Sequence, residues 1–166
     1  MTKKIAILQS NYLPWKGYFE LINNVDEFYF HDDVQYTKND WRNRNQIYVN
    51  FKKIWLTIPT GINEKRLINE VTLSDKKWKL KHFDTMVQGY KKSKYFDNYI
   101  NFFKDFYFEK NFNNLSLINK YLIKFISKEI LKIKTSFHDV ESLKIKSTKE
   151  KKLLEICEKV NAKIYL

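Results

Sequence analysis

Ile5–Leu8 is an unbroken apolar run ending at Gln9, the pattern of a strand buried on both faces. Asn11 and Pro14 mark a turn, and Pro14 stands where a helix can begin. Within Trp15–Ile22, Phe19, Leu21 and Ile22 turn a short helix toward a core, and Asn23-Asn24 ends it. Glu27–Phe30 repeats the apolar run and stops at His31-Asp32-Asp33. Strand, helix, strand predicts a βαβ unit with parallel strands. Gln46–Val49 and Ile54–Ile58 flank Asn50-Phe51-Lys52-Lys53 and predict a β-hairpin. Leu67–Leu73 is a further strand candidate.

From Ser74 the period changes. Ser74 is a good N-cap, Asp75 favours a helix N-terminus, and Leu80, Phe83, Val87 and Tyr90 follow at helical spacing. Tyr95–Phe108, Leu115–Leu131 and Lys149–Val160 predict three more helices, with Ser136–Val140 and Ile164–Leu166 as short strands. The expected fold is α/β. A parallel-type sheet grows from the N-terminal βαβ unit, joined by a hairpin and packed with a helix-rich C-terminal half; α+β is the alternative. At 166 residues the chain is expected to be one domain, strand-rich over 1–73 and helix-rich over 74–166.

The net charge of +12 invites a nucleic-acid reading, but its distribution tempers that. Residues 1–72 carry ten basic and eight acidic side chains; residues 73–166 carry twenty-one and eleven. The excess is mostly lysine on helices, where it covers solvated faces. A phosphate-rich partner such as RNA, a nucleotide-sugar or anionic lipid is the competing reading. The single cysteine, Cys157, permits no internal disulfide, and no apolar run reaches membrane-helix length. The expected protein is soluble and cytoplasmic.

The candidate chemistry lies early. If the first two strands are parallel, Gln9, Asp32 and Asp33 share the carboxyl edge where open α/β sheets bind ligands. Consecutive residues on an extended chain face opposite ways, so one of the two aspartates is expected to face a pocket, next to Gln35 and Tyr36. Trp41-Arg42-Asn43-Arg44 is a second concentration. The chain has three arginines, and an arginine fork suits planar phosphate or carboxylate recognition. Tyr12, Trp15 and Tyr18 alternate between a loop and a first helical turn and could stack on a base or sugar ring, with a core role as the competing reading for Trp15 and Tyr18. His82 stands alone on a helix, and no histidine–cysteine spacing resembles a zinc site, so no metal is expected and no cofactor is indicated.

The runs IAILQSNYLPWKGYF and DDVQYTKNDWRNRN, with INEV, the Trp78–His82–Tyr90 helix and KKSKYF, resemble the WbqC-like family over essentially the whole chain. Ser10 replaces the proline that members commonly carry there. Members run on past a YLSG-type motif, inside which this chain stops at Tyr165-Leu166; a shortened chain lacking later site residues is therefore expected. The resemblance implies a cytoplasmic bacterial protein of surface-polysaccharide (O-antigen) biosynthesis. Its implied activity is transfer of glycine or a similar acyl group onto an amino sugar or nucleotide-sugar, with an aminoacyl-tRNA as one candidate donor. It implies Asp32, Asp33 and Gln9 as catalytic residues. Asn11, Tyr12, Trp15, Gln35, Tyr36, Trp41, Arg42, Asn43, Arg44 and, peripherally, His82 would bind substrate. The alternatives are a non-catalytic nucleotide- or RNA-binding module and a scaffold subunit of a polysaccharide-assembly complex. The strand, Pro-x-x-Gly turn, helix and Asp-ended strand are also similar to the opening of nucleotidylyltransferase folds. Trp15 and Tyr18 stand there in place of paired histidines, so ATP activation by that chemistry is not expected.

Overall fold

The structure is a computed structural model and describes residues 2–73 and 75–166. Four parallel strands form the main sheet: β1 (Lys4–Leu8), β2 (Glu27–Phe30), β5 (Ser136–Asp139) and β6 (Ile164–Tyr165), in the spatial order β5-β2-β1-β6. An antiparallel hairpin, β3 (Arg44–Val49) and β4 (Lys52–Thr57), stands apart from it. The expected α/β class, parallel βαβ opening and hairpin are present.

The strand sequences explain the sheet. Ala6, Phe28 and Phe30 face one way and bury against Tyr18, Phe19 and Ile22 of α1 (Lys16–Asn23) and Ile123 of α4 (Leu115–Phe125). Ile5, Ile7 and Tyr29 face the other way and meet Ile156 of α5 (Lys149–Lys159). Both faces of β1 and β2 are thus covered, which is why they read as continuous apolar runs.

The 3-2-1-4 order of the parallel strands reverses direction at β1. After β5 the chain crosses to the far side of β1 to lay down β6, making a topological switch point between them. Between β2 and β5 the chain builds a second core at the carboxyl edge. There the hairpin, α2 (Trp78–Tyr90), the start of α4 and the π-helical turn Asp105–Glu109 after α3 (Phe96–Lys104) bury Tyr12, Leu56, Ile58, Phe106, Tyr107, Leu115 and Leu122. Helix α4 belongs to both cores, through Leu115 and Leu122 on one side and Ile123 on the other.

Two readings need correction and one falls outside the described residues. Leu67–Leu73 is not a strand. Ile68 and Val71 are buried, but Ile68–Glu70 is a 3-10 turn, and the neighbouring chain makes only isolated bridges, Gln35 with Leu67 and Thr72 with Asn114. The Ser74 N-cap lies outside the described residues, and α2 begins at Trp78 after Lys77. The hairpin turn is tighter than predicted, two residues rather than four, with Asn50 at φ 49° and Phe51 at φ 63°.

Gly89 lets α2 and the hairpin touch. A Cβ there would lie 2.9 Å from the Tyr48 carbonyl oxygen and 3.1 Å from Val49 Cγ2. In an open helix alanine would gain about 1 kcal/mol over glycine. Here overpacking against a backbone carbonyl costs about 1–3 kcal/mol, so Gly89→Ala is expected to lower the melting temperature. A raised melting temperature would show that the contact yields freely.

Candidate functional site

The carboxyl ends of β1 and β2 are joined through Asp32. This fully buried carboxylate accepts from Ser10 N–H at 2.8 Å, from Ser10 Oγ at 2.7 Å and from Ser116 Oγ of α4, with Lys120 Nζ at 3.8 Å. Lys120 also meets Asp139 at 2.5 Å at the end of β5. Asp32 therefore fixes three elements and offers no free oxygen to a ligand. Asp33 faces the opposite way, as alternation along an extended chain requires. It pairs with Lys152 of α5 at 2.5 Å, lies 3.6 Å from His31 Nε2, and stays partly exposed. Burial, then Lys152, lowers the His31 pKa against the pull of Asp33, so the His31–Asp33 contact is no ion pair at neutral pH.

The turn after β1 is clamped to the residues before the hairpin. Tyr12 N–H donates to the Trp41 carbonyl at 2.9 Å, and Asn45 Nδ2 donates to the Leu13 carbonyl at 2.5 Å. Asn119 of α4 donates to the Arg42 carbonyl at 2.9 Å and to the Ser10 carbonyl at 3.3 Å. The Tyr18 hydroxyl donates to the Gln9 carbonyl. Its pKa is raised well above the usual range, by burial first and Asp32 next, with Arg42 opposing.

The backbone of the turn that carries Gln9 and Asn11 thus lies against the segment that carries Trp41, Arg42 and Arg44, and these form one rim; the Trp15 ring instead lines a groove with Lys4, Glu20, Leu21, Ile164 and Leu166. Trp15 is 72% exposed and lies on Gly17, where any Cβ would strike its ring. Trp41 is 51% exposed and lies 5.9 Å from Trp55, which is 41% exposed; the Arg44 guanidinium sits 4.2 Å above the Trp55 ring. Arg42 pairs with Asp40. Asn11 Oδ1, Arg42 Nε and Arg44 Nε are shielded from solvent and have no hydrogen-bond partner among the described residues.

The other predicted residues lie elsewhere. Tyr12 is buried in the second core, where its hydroxyl meets Tyr107 at 2.6 Å and His82 Nδ1 at 2.9 Å. His82 is buried beside it: the Thr57 backbone also hydrogen-bonds its ring, and burial pushes its pKa down to about 4. Asn43 is buried and donates to the Ile58 carbonyl. Tyr36 is buried with its hydroxyl on Thr60, and Gln35 reaches the Glu64 carbonyl. Lys152, Asn119 and Trp55 are residues that sequence reasoning passed over. Of these Trp55 left a usable trace, since it alternates with the buried Leu56 and so must face outward. Among the described residues, no group of three or more His, Cys, Asp or Glu is placed to hold a metal ion, and no helix is long and apolar enough to cross a membrane.

No solved structure matches this chain. The uncharacterized protein Rv1507c of Mycobacterium tuberculosis (strain ATCC 25618 / H37Rv) is 35% identical over 166 residues, covering 99% of this chain and 71% of that protein. Residues 9–166, which hold the whole rim and everything that clamps it, match the WbqC-like protein family, and the chain belongs to that family.

Proposed function

We propose that the protein is a cytoplasmic transferase that moves glycine or a related acyl group onto the amine of an amino sugar or nucleotide-sugar in surface-polysaccharide (O-antigen) biosynthesis. The observation that carries this reading is the rim itself. The partly exposed Arg42 and Arg44 stand beside exposed tryptophans at the carboxyl edge of a parallel sheet that reverses its strand order.

The roles follow from exposure. Arg42 and Arg44 hold phosphate or diphosphate oxygens. Trp41 and Trp55 present faces on which a sugar or base ring lies. Asp33, whose Oδ1 accepts no hydrogen bond among the described residues, orients the acceptor amine and takes its proton once its partly exposed side chain turns from Lys152, with neutral His31 beside it as a second acceptor. Asp32 is a positioning residue, because its oxygens are already occupied by Ser10 and Ser116. Gln9 and Asn11, on the turn that Asp32 anchors, donate to the oxyanion developing on the acyl carbon. An acyl donor that arrives activated, such as an aminoacyl-tRNA, needs no covalent enzyme intermediate.

The experiment is thermal stability against nucleotide-sugars with and without an amino group, ATP, glycine and tRNA. An amino nucleotide-sugar at about a hundred times its Kd is expected to add about 2.7 kcal/mol. That corresponds to a rise of roughly 5–10 °C for a chain of this size. Arg42→Ala should abolish the rise while leaving the unliganded melt near its original value, because the bond to Asn119 is made by the Arg42 carbonyl and the side chain's pairing with Asp40 is a partly exposed one worth about 1 kcal/mol or less. A rise of equal size in Arg42→Ala, or none with any sugar, contradicts the reading.

A further inference from the structure

At the end of the second core the tip of the hairpin and the turn between α2 and α3 form one surface. The contact at Gly89 holds them together, and Asn50, Gln88, Gly89, Lys91 and Lys92 line a shared depression. Five lysines stand here, Lys52, Lys53, Lys91, Lys92 and Lys94, all exposed. Neither Tyr48–Lys53 nor Gln88–Phe96 contains an acidic residue.

Large apolar side chains stand among these charges. Phe51 is 101% exposed at the tip, held there by a positive φ that glycine would adopt more easily. Tyr48 and Tyr95 are exposed as well. Helix α3 carries an apolar face yet has no buried residue. Between α2 and α3 opens a cleft of about 280 Å³ lined by Met86, Tyr90, Phe96, Tyr99, Ile100 and Phe103.

We propose that this end of the molecule is a docking surface for an anionic phospholipid bilayer. The lysines meet headgroup phosphates, Phe51 and Tyr95 enter the interfacial layer, and the apolar mouth between α2 and α3 faces the acyl boundary. Lysines flanking exposed aromatics are the composition that binds such a surface. Single-stranded RNA also uses lysines and aromatics, but it needs open ring faces for stacking. Here Phe51 leaves its ring open at the tip, but Lys94 covers the Tyr95 ring at 5.1 Å, and the cleft beside them is a concave apolar mouth rather than a flat platform.

The test is sedimentation of the full chain with vesicles of phosphatidylcholine alone and with phosphatidylcholine mixed with phosphatidylglycerol, alongside binding to a labelled single-stranded RNA. Binding to the anionic vesicles alone, weakened by salt, is expected. Phe51→Gly, which relieves the positive φ and so keeps the hairpin, should lower vesicle partitioning about tenfold. Lys91→Glu with Lys92→Glu, both exposed, should lower it about tenfold or more. Equal binding to neutral vesicles, no vesicle binding, RNA binding without vesicle binding, or variants that bind as the parent does would each overturn the proposal.

Discussion

Replacing Asp32 by alanine is expected to cost about 4 kcal/mol of folding free energy. The substitution strips three hydrogen bonds at once and leaves Ser10 N–H and two hydroxyls unpaired where solvent does not reach. It also removes one of three carboxylates within 4.0 Å of Lys120 Nζ, which is itself largely buried. Bonds to a charged acceptor contribute about 1.5–3 kcal/mol each, and removing one partner of a buried ion pair costs about 3–5 kcal/mol. For a chain of this size the loss lowers the melting temperature by roughly 8–16 °C. Asp32→Asn keeps the shape, and the serine hydroxyls can turn to accept from its amide, so about half that cost is expected. Urea unfolding of both variants measures this. A cost below about 1 kcal/mol for alanine would mean that Ser10, Ser116 and Lys120 find other partners.

Mild acid is the second large effect. His82 titrates near 6.5 when unfolded and at about 4 in the native protein. Between those values the unfolded chain binds the extra proton, so stability is whole above about pH 6.5 and falls as pH drops toward 4. Below that this group adds no further loss. The full span is about 3 kcal/mol, and His82 is buried, so solvent screening scarcely reduces it. His31, also lowered, contributes with the same sign. The difference between the parent and His82→Gln isolates His82, because glutamine keeps an acceptor for the Tyr12 hydroxyl. The parent should lose more stability than the variant from pH 7.5 to pH 4.5. Parallel losses would place the acid sensitivity elsewhere.

The parallel sheet was readable because β1 and β2 are buried on both faces and their composition says so. Leu67–Leu73 was misread for the opposite reason. Its apolar residues are buried one at a time by the second core, while Glu70 turns back to accept from the Leu67 N–H, and no partner strand lies beside it. At the site, alternation correctly sent Asp32 and Asp33 to opposite sides. What each meets was hidden in residues 84 and 119 positions away, Ser116 and Lys152. Helix α4 carried a trace of it. Ser116, Asn119 and Lys120 lie three and four residues apart, a polar stripe beside the apolar one, on a helix that must face the core. Tyr12 and His82, which the family resemblance offered as substrate-binding, form a buried hydroxyl–imidazole pair; a binding surface uses the same residue types, and only packing separates the two.

The central claim is that ligand binds at the rim of Trp41, Trp55, Arg42 and Arg44. The most direct measurement follows the four indole N–H signals by proton–nitrogen correlation spectroscopy while an amino nucleotide-sugar is added. The signals of Trp41 and Trp55 are expected to move, that of the buried Trp78 to stay, and Arg44→Ala to suppress the movement. Stationary Trp41 and Trp55 signals at saturating sugar, or movement unchanged in Arg44→Ala, would contradict the account.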